Sequence, residues 1–244
     1  MRVARALVKL VVLWAALFGL FAWQGLWKTL LETLVGRTPP PIFERATLLQ
    51  LALEHISLAG LAMLGVLIVG LPLAVWVTRP SGGPFLSLVS SLTALGQTFP
   101  PVAVLFLALP IFGFGSTSVY LALFLYGLLP TVSSTLVGLA GVNENARDAA
   151  KGMGMNERQM LIRLELPLAL PAVLAGLRTS FVLLIATAAL APLVGAGGLG
   201  QPIIAGLSVN NLGYVLEGAI AVALLALLTD YTLRDLERAI TPWS

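Results

Sequence analysis

Cysteine is absent from this sequence, and charged residues are scarce. Only 10% of its 244 residues are Asp, Glu, Lys or Arg, whereas 58% are hydrophobic, and the mean hydropathy is +0.97. Soluble domains carry about 25% charged residues, so this composition predicts a membrane protein. The lack of cysteine excludes disulfides and Cys-based metal sites. One histidine with scattered carboxylates supplies no cluster for a membrane-embedded enzyme.

Two further absences limit what the chain does by itself. The motif G-x-x-x-x-G-K-[ST] does not occur, so the sequence has no P-loop for ATP and any ATP-driven work belongs to another subunit. The sequence also lacks the inverted repeats and mid-membrane ionisable residues that a carrier driven by Na⁺ or H⁺ would need. Such a carrier is therefore the less favoured alternative, and no cofactor is predicted.

Six apolar runs are each long enough for the roughly 20 residues that a helix needs to cross a bilayer. Their unbroken Leu, Ala and Val favour helices over a membrane barrel, whose strands would alternate in polarity. The predicted spans are Leu10–Leu26, Ile56–Val77, Leu86–Phe112, Val119–Leu139, Val173–Leu193 and Leu212–Leu233. We predict an all-α helix bundle in which residues 1–45 form an N-terminal helix and outer loop, and residues 46–244 form the core domain.

The first run also has features of a signal peptide, because Arg2, Arg5 and Lys9 precede it. Its apolar core continues to Trp23, which is longer than a typical signal core, and no small-x-small cleavage pattern follows. A retained helix is therefore the favoured interpretation.

The basic residues indicate the orientation of the spans, because short cytoplasmic loops retain Lys and Arg. With six spans and a cytoplasmic N-terminus, ten of the 14 basic residues lie in inner segments. Lys28, Arg37 and Arg45 lie in outer segments, and Arg178 lies within the fifth span. The isoelectric point near 9.6 thus reflects topology and not nucleic-acid binding. We predict a multi-pass membrane protein with a cytoplasmic N-terminus.

The largest predicted cytoplasmic loop, residues 140–170, contains the charged stretch DAAKGMGMNERQMLIRLELP. Its first half predicts a short helix from Asn143 that ends near Gly152 or Gly154, where glycine can adopt a left-handed turn. Its charges keep this part of the chain in water.

The second half of the loop predicts another short helix. Asn156 is placed to cap it, Gln159 occupies the capping-box position, and Pro167 marks its end. Two helices around a glycine turn would form a compact knob on the membrane surface. An amphipathic loop lying in the lipid headgroups is the alternative that composition leaves open.

The spacing within this stretch resembles the EAA loop of ABC importer permeases. Asp148-Ala149-Ala150 is followed after three residues by Gly154 and, after nine more, by Leu164-Glu165-Leu166-Pro167. That family has Glu-Ala-Ala, Gly and Ile-x-Leu-Pro at this spacing. The two departures, Asp for Glu and Leu for Ile, keep charge or bulk, and the resemblance implies the type I, MetI-like permease fold.

In that family the loop is a coupling helix that docks on a cytoplasmic ATPase. The resemblance therefore implies separate ABC ATPase subunits, a separate substrate-binding protein and a second permease chain, identical or paralogous, around a central path. It also implies that the protein lies in the inner or plasma membrane of a bacterium or archaeon. The implied coupling residues are Asp148, Ala149, Ala150, Gly152, Met153, Gly154 and Met155.

The sequence from about His55 to the C-terminus shares this resemblance. In its details it is similar to the permeases for glycine betaine, choline and related osmoprotectants. The segments that carry it are Gly70–Pro80, Gln97–Gly115, Leu125–Val142, Lys151–Ser180 and Gly195–Gly200. Permeases for methionine and other amino acids share the loop, so an amino-acid permease is the alternative. Aromatic faces hold a quaternary ammonium best, yet aromatics are only 8% of this chain. We therefore expect weak osmolyte binding here and specificity set by the binding protein.

Polar residues inside the predicted spans are candidates for the translocation path, because polar side chains are costly in lipid. Gln97, Thr98, Phe99 and Pro100 lie where Pro100-Pro101 interrupts the third span, and the freed carbonyl groups need interior partners or water. A gate or substrate contact and a merely kinked packing helix are both compatible with this pattern.

The remaining polar features have structural interpretations. We expect His55 to be an interface residue and not a proton relay, and Arg178 and Glu217 lie near span ends, from which they could simply snorkel. The stretch GAGGLG, Gly195–Gly200, matches the dinucleotide pattern, but that fingerprint needs a soluble βαβ unit. Its glycines are expected instead to form a tight outer loop that faces a binding protein.

The absence of cysteine makes the predicted topology testable by labelling, since single introduced cysteines have no background. In intact cells, an impermeant maleimide should label Ser208→Cys and should leave Asn156→Cys unlabelled, because the charge asymmetry places residues 195–211 outside and residues 147–163 inside. Labelling of Asn156→Cys but not Ser208→Cys would show that the orientation is reversed.

Overall fold

The computed structural model describes residues 2–36, 40–96 and 98–241, most of which are helical and none of which forms a β-strand. The helices are α1 (Arg2–Ala22), α2 (Gln24–Val35), α3 (Leu48–Val77), α4 (Leu86–Gly96), α5 (Pro101–Phe112), α6 (Ser116–Ala140), α7 (Glu144–Gly152), α8 (Glu157–Met160), α9 (Leu166–Ala188), α10 (Gly200–Ser208) and α11 (Leu212–Ile240). Short 3₁₀ helices lie at Gly83–Phe85 and Ala191–Val194, and a π-helical turn at Leu161–Glu165. The predicted all-α class is confirmed.

Four helical stretches are long and apolar enough to cross a membrane without a break: Leu48–Val77, Ser116–Ala140, Glu157–Ala188 and Leu212–Ile240. Two bent pairs also pass the test of length and composition, Leu7–Ala22 with Gln24–Val35 and Gly83–Gly96 with Pro101–Phe112. The six predicted crossings are confirmed for the described residues when each bent pair counts as one crossing.

The bundle has two ends, which contacts between distant segments define. We call the end that carries α7 the loop end and the end that carries Gly195–Gly200 the glycine end. The Gly83 N–H donates to the Arg79 carbonyl at 2.8 Å near the start of α4, and the Gly115 N–H donates to the Val194 carbonyl at 2.7 Å beyond the end of α5. The bent pair of α4 and α5 therefore runs from the loop end to the glycine end.

The third predicted span, Leu86–Phe112, is interrupted at Pro100-Pro101, as expected, and the interruption separates two helices. Helix α4 ends at Gly96, α5 begins at Pro101, and the chain bends by 106° between them. Pro101 fits the first turn of α5, where a missing N–H costs nothing, and Pro100 before it is extended with φ −62° and ψ 137°. Two adjacent prolines thus end one helix and start another.

Other helices begin or end at residues that differ from the predicted span limits, because those limits were set by the apolar residues alone. Helix α3 begins at Leu48 and not at Ile56, because Thr47 and Gln50 form a capping box ahead of it. Helix α1 ends at Ala22, so Leu26 belongs to α2, which leaves α1 at a bend of 71°.

The expected helix end at Pro167 is also wrong, and the fifth span does not begin at Val173. Helix α8, the π-helical turn and α9 form one continuous stretch, Glu157–Ala188. The Leu166 N–H donates to the Leu161 carbonyl across the wider turn. Pro167 therefore lies in the first turn of α9, where its missing N–H is tolerated.

The centre of the bundle is the packing of α6 against α9 and α3, with small residues at the closest approach. A Cβ on Gly176 of α9 would overlap Ser134 of α6, and a Cβ on Gly138 of α6 would lie 2.9 Å from the Cβ of Ala172. Buried Thr131 and Ser180 hydroxyl groups are 2.7 Å apart nearby. Small residues with hydrogen-bonded hydroxyl groups are typical of helix contacts in membranes.

The close approach of α6 and α9 predicts the effect of one added methyl group. Gly176→Ala should lower the melting temperature of the purified chain in detergent, because overpacking costs about 1–3 kcal/mol. The matched control is Gly60→Ala in α3, where a Cβ meets nothing within 4 Å and alanine favours the helix. Equal melting temperatures for the two variants would contradict the described contact.

Candidate functional site

The charged loop begins with a well-capped helix, as predicted. The Asn143 side chain accepts a hydrogen bond from the Asn145 N–H at 2.8 Å and caps α7. Glu144 lies in the first turn of α7 and Lys151 in the last, which is the arrangement that the helix dipole favours. Local chemistry alone therefore stabilises α7 in a short polar segment.

Helix α7 ends in a hydrogen-bonded glycine turn. The Met155 N–H donates to the Ala150 carbonyl at 3.1 Å and the Gly154 N–H to the Lys151 carbonyl at 2.9 Å, which together form a Schellman motif. Gly154 has φ +80°, a conformation that side-chain-bearing residues rarely adopt. The predicted left-handed turn is confirmed at Gly154.

The second short helix, α8, starts with the predicted capping box. The Gln159 N–H donates to the Asn156 side chain at 2.9 Å, and the Asn156 N–H donates to the Gln159 side chain at 3.0 Å. Helix, glycine turn and helix thus form the compact knob at the loop end.

Most of the predicted coupling residues lie on the exposed side of the knob, away from the bundle. Asp148, Ala149, Gly152 and Gly154 are exposed, and Met153 is exposed by 71%. Met155 is half-buried. Ala150, at 1% exposure, packs against the chain itself and holds α7 in place.

A buried carboxylate ties this knob to the bundle. Glu165, only 3% exposed, accepts a hydrogen bond on Oε1 from Arg147 Nε at 2.9 Å, and its Oε2 lies 2.7 Å from Arg79 Nη1. Arg147 also donates through Nη2 to the Leu139 carbonyl at 2.7 Å. We call Arg79, Arg147 and Glu165 the clasp, which joins α7 to α3, α6 and the start of α9.

The clasp is the part of the site that the sequence did not predict. In the sequence analysis, Arg79 and Arg147 were used only to predict the topology. Glu165 was only the variable position of the loop motif. One signal was present: Glu165 lies between Leu164 and Leu166 at the edge of a span, where an unpaired carboxylate is costly. Its need for a basic partner was predictable, although which arginine supplies it was not.

The predicted pathway residues lie together at the break between α4 and α5. Thr98, Phe99 and Pro100 are exposed in the single chain, and Gln97 lies outside the described residues. The Tyr126 hydroxyl of α6 donates to the Phe99 carbonyl, so the carbonyl next to the prolines has the interior partner that we expected. Phe99 and Tyr126 also line an apolar cavity of about 370 Å³.

The glycine-rich stretch Gly195–Gly200 folds back onto α3. The Gly198 N–H donates to Glu54 Oε2 at 3.0 Å, and a Cβ on Gly197 would overlap that carboxylate. Gly198 has φ +103°. The glycines therefore permit close contact with α3, which agrees with the expected tight loop.

Three ionisable residues in the bundle have partners that differ from the expectations. His55 is fully buried, with Nε2 2.8 Å from the Ile185 carbonyl, and so is not an interface residue. Arg178 Nε and Nη1 lie 3.6 Å from Asp230 and Glu237 of α11, and the buried Glu217 accepts a hydrogen bond from the Phe43 N–H at 2.7 Å. Glu217 is therefore buried inside the chain and does not snorkel, whereas Arg178 has two carboxylate partners. No group of three side chains placed to hold a metal ion occurs among the described residues.

Comparison with known sequences identifies similar proteins. The model of the family described as binding-protein-dependent transport system inner membrane component matches residues 70–242. The choline transport system permease protein OpuBB of Bacillus subtilis is 38% identical over 195 residues, which cover 80% of this chain and 89% of that protein. The osmoprotectant import permease protein OsmY of Salmonella typhimurium is 38% identical over 217 residues, which cover 89% of each chain.

Comparison with solved structures concerns the fold. A chain of the MetNI methionine ABC transporter, in an inward-facing conformation, superimposes with a TM-score of 0.68 at 23% identity. The match covers 80% of this chain and 96% of that chain. The predicted MetI-like fold is thereby confirmed.

The clasp predicts a local loss of stability when its carboxylate is neutralised. Glu165→Gln leaves two arginines without a counter-charge and should destabilise the docking of α7 by about 2 kcal/mol. This is below the roughly 3–5 kcal/mol of a fully buried pair, because the arginine side chains are 19% and 25% exposed.

Hydrogen exchange of the α7 amides measures this effect, which should amount to about thirtyfold faster exchange. Glu144→Gln, which removes an exposed carboxylate from the first turn of the same helix, is the control and should speed exchange by less than about fivefold, since a helix-dipole contact is worth at most about 1 kcal/mol. Equal exchange in both variants would mean that the clasp does not hold α7.

Proposed function

We propose, from the premise that the chain belongs to the family of binding-protein-dependent transport system inner membrane components, that it forms the translocation path of an ABC importer for glycine betaine- and choline-type osmoprotectants. The observation that carries this substrate class is the 38% identity to permeases named for choline and osmoprotectant import. An amino-acid permease is the second candidate. Its support is the weaker likeness to a methionine transporter, at 23% identity.

In this proposal the chain is a permease and not an enzyme, and a separate cytoplasmic ABC ATPase hydrolyses ATP. The exposed side of α7 and its glycine turn docks on that ATPase. Met153, exposed by 71%, offers a flexible apolar side chain suited to a groove, and Asp148 adds a charge at the same surface. The coupling residues are those that the knob exposes, with Ala150 anchoring α7 from inside.

The clasp gives the docked loop a direct connection to the helices. Movement of α7 displaces Arg147, and the Glu165 carboxylate passes this displacement to α9 and, through Arg79, to α3. We infer that the loop end faces the cytoplasm together with the N-terminus. The glycine end then faces the separate substrate-binding protein.

The translocation path in this proposal runs between two permease chains, identical or paralogous. Phe99, at 53% exposure, and its neighbours Thr98 and Pro100 are open to a second chain at the break in the bundle. The core domain of residues 46–244 lines the path. Alternating access follows when ATP binding closes the two ATPases and the loops rock the helices.

Two substitutions in the loop test this coupling. Gly154→Val should abolish the turn, because a β-branched residue at φ +80° is strongly strained. Asp148→Lys reverses an exposed charge at the proposed contact. Both should reduce ATP-dependent choline uptake in liposomes containing permease, ATPase and binding protein, and should reduce co-purification of the ATPase.

The control is Arg158→Glu, which reverses an exposed charge of the same knob on α8, outside the proposed contact and away from the clasp. It should import at the unmodified rate. Because all three positions lie outside the bundle, the melting temperature of the permease should change little. Full import by Gly154→Val and Asp148→Lys would contradict the coupling role and restore the lipid-surface interpretation of the loop.

A further inference from the structure

A polar cavity lies at the glycine end, away from the clasp and from the break in the bundle. It has a volume of about 410 Å³, within the roughly 300–1,000 Å³ range of small-molecule sites. Its polar side chains come from α3 (Glu54 and Ser57), α6 (Ser116 and Tyr120) and α10 (Gln201), and the glycine-rich stretch closes one side. We call it the outer cavity.

The carboxylate of the exposed Glu54 contacts the glycine-rich stretch through one of its oxygens. Oε2 accepts the hydrogen bond from the Gly198 N–H at 3.0 Å, and Gly197 leaves no room between the loop and the carboxylate. The Ser57 hydroxyl donates to the Glu54 carbonyl at 2.7 Å on the same turn of α3. The cavity therefore contains a negative charge, without a basic side chain among the described residues that line it.

The cavity is also lined by one aromatic residue, Tyr120. Tyr120 lies one turn into α6 and is half-buried. A carboxylate and an aromatic face are the two groups that attract a quaternary ammonium, one through its charge and the other through the ring quadrupole. Hydroxyl and amide groups of Ser57, Ser116 and Gln201 offer hydrogen bonds to the polar remainder of such a molecule.

We propose that the outer cavity binds the trimethylammonium group of the imported osmoprotectant, with Glu54 and Tyr120 as the residues that recognise it. This inference rests on the proposed function, because it takes the substrate class from there. A single aromatic ring makes this a weak site, compatible with a molecule that must leave it again toward the path.

The test is a direct binding measurement on the permease–ATPase complex in nanodiscs, without the binding protein. Choline is the probe, and the relaxation of its methyl protons reports binding. Glu54→Gln keeps an oxygen that accepts from Gly198 and removes only the charge, so it should weaken choline binding about three- to fivefold. Tyr120→Leu, the second variant, should weaken it by a similar factor through loss of the ring.

Two controls isolate the cavity. Glu44→Gln removes an exposed carboxylate at the same end of the bundle but outside the cavity, and should leave choline binding unchanged. The uncharged isostere 3,3-dimethylbutanol should bind equally to the unmodified chain and to Glu54→Gln. Unchanged choline binding in Glu54→Gln and Tyr120→Leu would overturn the proposal, as would an equal loss in Glu44→Gln or no choline binding to the unmodified complex.

Import assays separate this inference from the proposed function. If the complete system imports choline but binding is insensitive to Glu54 and Tyr120, only the outer site is disproved. If the complete system imports amino acids and no trimethylammonium compound, the proposed substrate class fails and the outer site fails with it.

Discussion

The buried carboxylate of Glu165 is the interaction on which the loop end depends. A carboxylate at the edge of a membrane span is stable only with counter-charges, and the chain supplies them from Arg79, at the end of α3, and Arg147, in α7. The hydrogen bond from Arg147 to the Leu139 carbonyl adds α6 to the same contact. The orientation of the knob thus follows from one side chain and from the cost of leaving it unpaired.

Local signals in the sequence were sufficient for the knob itself. The caps at Asn143 and Asn156 and the left-handed Gly154 act within a few residues, so their outcome does not depend on the remainder of the fold. Hydropathy likewise indicated the apolar stretches that cross the bundle. It did not indicate where helices begin and end, because α3 extends over polar residues such as Glu54 and His55, whose partners are distant in the chain.

What the sequence left open depends on the context of single residues, either in the adjoining turn or in another helix. Pro167 was expected to stop a helix, but the π-helical turn before it removes the need for its N–H. The break at Pro100-Pro101 is compensated by a hydroxyl group from Tyr126, 27 positions along the chain. Composition and spacing cannot reveal such partners, and the same holds for the clasp.

Helix continues without a loop from Glu157 to Ala188, so the knob is joined directly to one end of this long helix. Its 32 residues form a rod about 48 Å long, because a helix rises about 1.5 Å per residue. A tilt of only about 5° at one end therefore moves the other end by about 4 Å. No loop interrupts this rod, so its two ends tilt together as long as the π-helical turn at Leu161–Glu165 stays rigid.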